Sequence, residues 1–91
     1  MRVEHGADDE LVLVLDTAEV SRLLDRKVSH QALAAGLPAH AAKLADAVAG
    51  ELADPRAQEP RTIRSVTIRV VETRTIATET LMLADEREVY T

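Results

Sequence analysis

The sequence predicts an α+β fold: a two-layer domain with an N-terminal β-hairpin, three central helices and C-terminal antiparallel strands, all strands in one sheet against the helices. Three observations carry that expectation. Apolar residues run together at Leu11–Leu15 and alternate with polar ones from Val66 to Val70, whereas they recur every three or four residues through the alanine-rich middle. Helix punctuation divides that middle, with Ser29 ahead of a short helix and Gly36-Leu37-Pro38 after it. The length, 91 residues, suffices for one core, so residues 1–91 are read as a single domain.

Met1 to His5 and Glu10 to Leu15, parted by Gly6-Ala7-Asp8-Asp9, read as the hairpin. Its second strand is apolar on both sides, so it belongs at the centre of a sheet or at an interface. Asp16-Thr17-Ala18-Glu19 has the spacing of an N-cap with a reciprocal Glu three positions on, and it starts a helix whose inner face holds Val20, Leu23, Leu24 and Val28. Ser29 caps a short second helix, which Gly36 is expected to close in a left-handed conformation. Pro38 then sits in the first turn of a third helix reaching about Ala53, with Ala41, Leu44, Val48 and Leu52 as its inner stripe. Gly50 costs that helix about 1 kcal/mol relative to Ala.

Asp54-Pro55 and Glu59-Pro60 bracket a polar loop, after which the period changes to two. Val66, Ile68 and Val70 share one side, Thr67 and Arg69 the other, in Thr-rich sequence to Leu83. Parity slips between Val70-Val71 and Ile76, as a turn near Glu72–Thr75 or a bulge in one long strand would make it do. A second turn at Asp85-Glu86-Arg87 is expected to return Glu88–Thr91 as a short last strand.

Composition narrows the function. Phe and Trp are absent and Tyr90 is the sole aromatic, so recognition of nucleic acid by stacking bases on rings is disfavoured and the core lacks its largest area contributors. A homodimer, or another protein partner, is expected to supply further buried surface. With no cysteine, no thiolate metal site or disulfide can form, and no targeting or membrane-spanning run is present; the expected location is cytoplasmic. The formal charge is −5, made of −5 over residues 1–55, +3 over 56–76 and −3 over 77–91. A basic segment in an acidic chain can meet an anionic partner locally, but the molecular field opposes long-range attraction to nucleic acid.

Catalytic chemistry finds no pattern. His5, His30 and His40 match no ligand spacing, and the carboxylate groups Asp8-Asp9-Glu10 and Asp85-Glu86-Arg87-Glu88 fall at turns without the regular oxygen alternation of a calcium loop. Ser21, Ser29 and Ser65 lie in no nucleophile elbow, and Gly6, Gly36 and Gly50 are isolated, so no loop cradles a phosphate. No catalytic residue, metal site or cofactor is assigned.

Helix, helix, turn, helix, then strands is the order of a winged helix-turn-helix. Ala32, Gly36 and Leu37 resemble the small-residue and turn positions of that motif over about twenty residues, and the resemblance implies a DNA-binding regulator. Its reading helix would offer His40, Lys43 and Asp46 among alanines, in a chain with no asparagine, and Arg61, Arg64, Arg69 and Arg74 would form its wing.

The function expected from the residues is a non-catalytic protein-interaction or self-assembly module acting through sheet surfaces. Val12, Val14, Leu81 and Leu83 are its interface candidates, because Leu11–Leu15 and Leu81–Ala84 exceed what one helical layer covers. Arg64, Arg69 and Arg74 are candidates for binding an anion or a partner. The winged-helix regulator is the alternative, and a small enzyme or metal-binding protein the second alternative.

Overall fold

Residues 1–7, 9–52 and 59–90 are described in the structure, a computed structural model. Arg2–His5 (β1) and Glu10–Leu15 (β2) pair antiparallel, with His5 opposite Leu11 and Arg2 opposite Val14. The turn between them is closed by Gly6 N–H donating to Glu10 O at 3.3 Å and Glu10 N–H donating to Ala7 O at 3.0 Å. Two helices follow, Thr17–Leu24 (α1) and His30–Glu51 (α2), then the strands Pro60–Val71 (β3) and Thr75–Tyr90 (β4). The sheet order is β1-β2-β3-β4, and it is mixed: β2 and β3 run parallel, joined by the helical crossover, while β3 and β4 are antiparallel.

The three expected central helices are two. The predicted second and third helices form the single, kinked α2 because their apolar stripe never changes phase: Leu33, Leu37, Ala41, Leu44 and Val48 are all buried, spaced three or four apart across the predicted stop. One sheet surface therefore holds both halves. Gly36 is not left-handed; at φ −138° and ψ 20° it is the kink itself. Pro38 explains why a kink is needed, since its ring crowds the carbonyl four residues back and it has no N–H to donate there. With no turn between the expected second and third helices, Ala32, Gly36 and Leu37, the residues that carry the helix-turn-helix resemblance, lie within one element.

The ends of the helices follow the sequence closely. Asp16 accepts from Glu19 N–H at 2.8 Å while Glu19 Oε1 accepts from Asp16 N–H at 3.3 Å, a complete capping box. At the other end Asp25 takes the left-handed conformation, φ 53°, which its short polar side chain tolerates. This ends α1 before Val28, which is buried beyond the helix with its N–H held by Ser21 Oγ at 3.2 Å. Ser29 Oγ accepts from Ala32 N–H at 3.1 Å to start α2. The expected last residue of this helix, Ala53, and most of the polar loop from Asp54 lie outside the described residues, as do Asp8 and Thr91.

The core fills the space between the helices and one face of the sheet. Leu11, Leu13 and Leu15 of β2 and Val66, Ile68 and Val70 of β3 pair in register beneath Val20, Leu33, Leu37, Leu44 and Val48. Each such side chain contributes about 1.5–3 kcal/mol on burial. Val12, on the opposite face, is only 8% exposed. The two-sided apolar run of β2 thus matches its central place between β1 and β3, with Val14 of the same open face left half-buried.

β4 corrects another expectation. No turn at Asp85–Arg87 sends back a separate strand; β4 continues to Tyr90, whose N–H donates to Leu52 O at 2.9 Å. Residues 83–86, between Met82 and Arg87, face the lone Arg64 between Ile63 and Ser65, so the acidic segment is a large bulge. The earlier parity slip contains both devices: a turn at 72–74, closed by Glu72 N–H to Arg74 O at 3.0 Å, and a shift in register beside Ile76.

Candidate interaction surface on the sheet

The helices cover one face of the sheet, which leaves the other face and the outer edge of β4 as the surfaces available to a partner. Register places Val12 opposite Thr67 and Thr67 opposite Thr80, Val14 opposite Arg69 and Arg69 opposite Thr78, and Ser65 opposite Met82. The open face is therefore a β-favouring, Thr-rich surface with a few aliphatic members. Its middle is tied down: Thr67 Oγ1 donates to Glu10 Oε2 at 3.0 Å and lies 2.9 Å from Thr80 Oγ1. Its margin is not, for Met82 is 71% exposed.

The β4 edge is the longer of the two. β1 ends the sheet on the far side with four residues, whereas β4 runs sixteen residues with β3 on one side only. Its uninterrupted ladder, Ala77–Met82, contains no Pro, Gly or Lys, the residues that most often blunt an edge. One charge stands within it. Glu79 lies opposite Ile68 and so points to the helix side, half-buried between Ala77 and Leu81, with no hydrogen bond or ion pair among the described residues.

The residues singled out from the sequence do not gather in one place. Val12 and Val14 lie on the open face near its centre, while Leu81 and Leu83 are half-buried on β4 and pack against the core from the helix side. Arg69 belongs to the open face, Arg74 to the turn between β3 and β4, and Arg64 is paired with Glu86 of the bulge. Arg69 and Arg74 have no ion pair among the described residues. Met82 and Glu79 went unnoticed in the sequence, although the alternation Thr78-Glu79-Thr80-Leu81-Met82 already sets Met82 with the threonines and Glu79 with the leucine.

The ionisable groups serve the scaffold. Glu72, at the tip of the β3–β4 turn, accepts from Thr17 Oγ1 and, at 2.9 Å, from Thr17 N–H at the start of α1. These bonds, from the hydroxyl first and the amide second, hold its carboxyl below the ordinary carboxylate range, with His30 at 3.8 Å a smaller influence. His30, Gln31, Glu72, Arg74 and Ile76 line a shallow depression of about 380 Å³. His40 is elsewhere, its Nε2 3.4 Å from Arg26 Nη2, so the two helical histidines do not converge. Among the described residues no three His, Cys, Asp or Glu side chains come together to hold a metal ion. Elsewhere, Glu51 raises the Arg22 guanidinium above its usual value, and the hydrogen bond to Glu88 raises the Tyr90 phenol.

No family model, curated protein or solved structure matches the chain. The surface is thus read on its own chemistry. A one-sided sheet with a long unpaired edge presents backbone N–H and C=O groups along β4 in the repeat that an added strand requires. No helix among the described residues is long and apolar enough to cross a membrane.

Proposed function

We propose that the chain is a non-catalytic protein-interaction module that binds by adding a partner's extended segment to the outer edge of β4. The observation that supports this reading is the uninterrupted ladder Ala77–Met82 of β4, which has a neighbouring strand on one side only. Main-chain hydrogen bonds supply affinity in such a contact, and side chains alternating on either side supply selectivity. Met82 and Thr80 meet the partner on the open face, Leu81 and Glu79 on the helix side. The bulge at 83–86 sets the limit of the contact, since a straight segment cannot follow it. The site of action is the cytoplasm, in keeping with the lack of cysteine.

A fluorescently labelled synthetic strand of alternating Thr and Val tests this. Its anisotropy should rise on titration with the protein, and N-methylation of every second peptide amide, which removes the donors along one edge, should abolish the rise. Equal binding by the methylated peptides, in both methylation frames, would show that no strand is being added.

A further inference from the structure

We infer that the strand admitted at β4 is a basic one from a different protein, with a Lys or Arg seated opposite Glu79; this rests on the strand-adding reading above. Glu79 is the only charge between Thr75 and Ala84, and its neighbours on the same side, Ala77 and Leu81, are apolar. An incoming strand covers this half-buried carboxylate and strips water from it, a cost that a neutral side chain opposite leaves uncompensated. A cation opposite compensates it, as cross-strand pairs of opposite charge do. Asp85, exposed and also without an ion pair among the described residues, continues the same sign beyond the ladder.

The same carboxylate turns away a second copy. From Thr75 to Glu86 the strand has no Lys or Arg, so every register that pairs the ladder Ala77–Met82 with itself sets Glu79 against a neutral residue or against the other Glu79. An inward-pointing charge in mid-edge is one of the ways natural sheets avoid joining edge to edge. Glu79 therefore acts as a selectivity residue: it rejects copies of its own strand and admits a strand of opposite charge.

Three labelled Thr/Val strands test the inference, identical except for Lys, Gln or Glu at one inward-facing position, which is moved along in steps of two so that one member of each set meets Glu79. At that position the Lys strand should bind about two- to fivefold more tightly than Gln, and the Glu strand about two- to fivefold more weakly. Glu79→Gln, which keeps the side-chain shape and so the fold, should bring the Lys and Gln strands to equal affinity, and Glu79→Lys should reverse the order. Equal binding by all three strands to the unaltered protein would overturn the inference while leaving strand addition intact, whereas loss of discrimination between methylated and unmethylated strands would remove the underlying reading. Sedimentation equilibrium supplies the remaining arm: a dimer forming at lower concentrations than those at which the Lys strand binds would mean that the occupant is a second copy.

Discussion

Replacing Gly36 by Ala separates two pictures of the helical layer by the sign of its effect. If Gly36 were a left-handed stop between two helices, Ala would be strained there and would destabilise by about 1 kcal/mol or more. In the structure Gly36 has φ −138°, open to any residue, and a Cβ built on it meets nothing within 4 Å beyond its chain neighbours and the backbone of its own helix. Ala should then stabilise the protein by about 0.4–1 kcal/mol, chiefly by restricting the unfolded chain. Gly50 provides an internal standard, because it is exposed within α2 and its Cβ likewise meets nothing within 4 Å. Gly50→Ala should contribute about 0.5–1 kcal/mol. Urea denaturation followed by circular dichroism measures both; for a domain of this size each gain corresponds to a thermal midpoint raised by about 2–8 °C. A Gly36→Ala protein that loses stability while Gly50→Ala gains it would refute the single kinked helix and restore the three-helix arrangement.

Other outcomes follow from the same contacts. Leu44→Ala, at a fully buried position, should cost about 2–5 kcal/mol in urea denaturation; a loss below about 1 kcal/mol would mean that α2 does not pack as described. Because the Glu72 carboxyl is held below its ordinary range, its bonds to Thr17 stabilise at neutral pH and are lost as the pH falls through that lowered value, beneath the ordinary glutamate range. Glu72→Gln should flatten this part of the stability-against-pH curve, and an unchanged curve would show that the turn does not cap α1. Glu79→Val removes the inward charge from the β4 edge, so light scattering should report more self-association by the variant than by the unaltered chain; equal masses for the two at every concentration would deny Glu79 its guarding role.

Much of the local structure was legible in the residues. The capping box at Asp16 and Glu19 and the Ser29 cap each depend on a few neighbouring atoms, and sequence spacing specifies such arrangements well. The junction at Gly36 was misread because Gly followed by Pro two residues on is the signature of both a stop and a kink, and only the phase of Leu33, Leu37 and Ala41 across it decides between them. The unbroken β4 was hidden for a similar reason, since an acidic cluster marks a turn or a bulge equally well. On the candidate surface, Val12 drew notice as part of a two-sided apolar run, yet that run reflects a central strand. Glu79 gave no signal of its own, because its meaning comes from Ile68 beside it and from the empty edge beyond, neither of which is adjacent in the chain.

The parallel seam between β2 and β3 has a kinetic consequence. Thr67 and Glu10, bonded across it, are 57 residues apart, while each flanking hairpin closes within a short stretch. The loop entropy of that seam has to be met before its contacts reward it, so bringing the two halves together sets the pace of folding. Shortening Leu13 to Val at the seam should slow the refolding limb of a chevron plot, whereas truncating Met82 on the outer strand should act mainly on the rate of unfolding. A nascent chain would thus carry its first hairpin through the synthesis of both helices before the mate for β2 emerges.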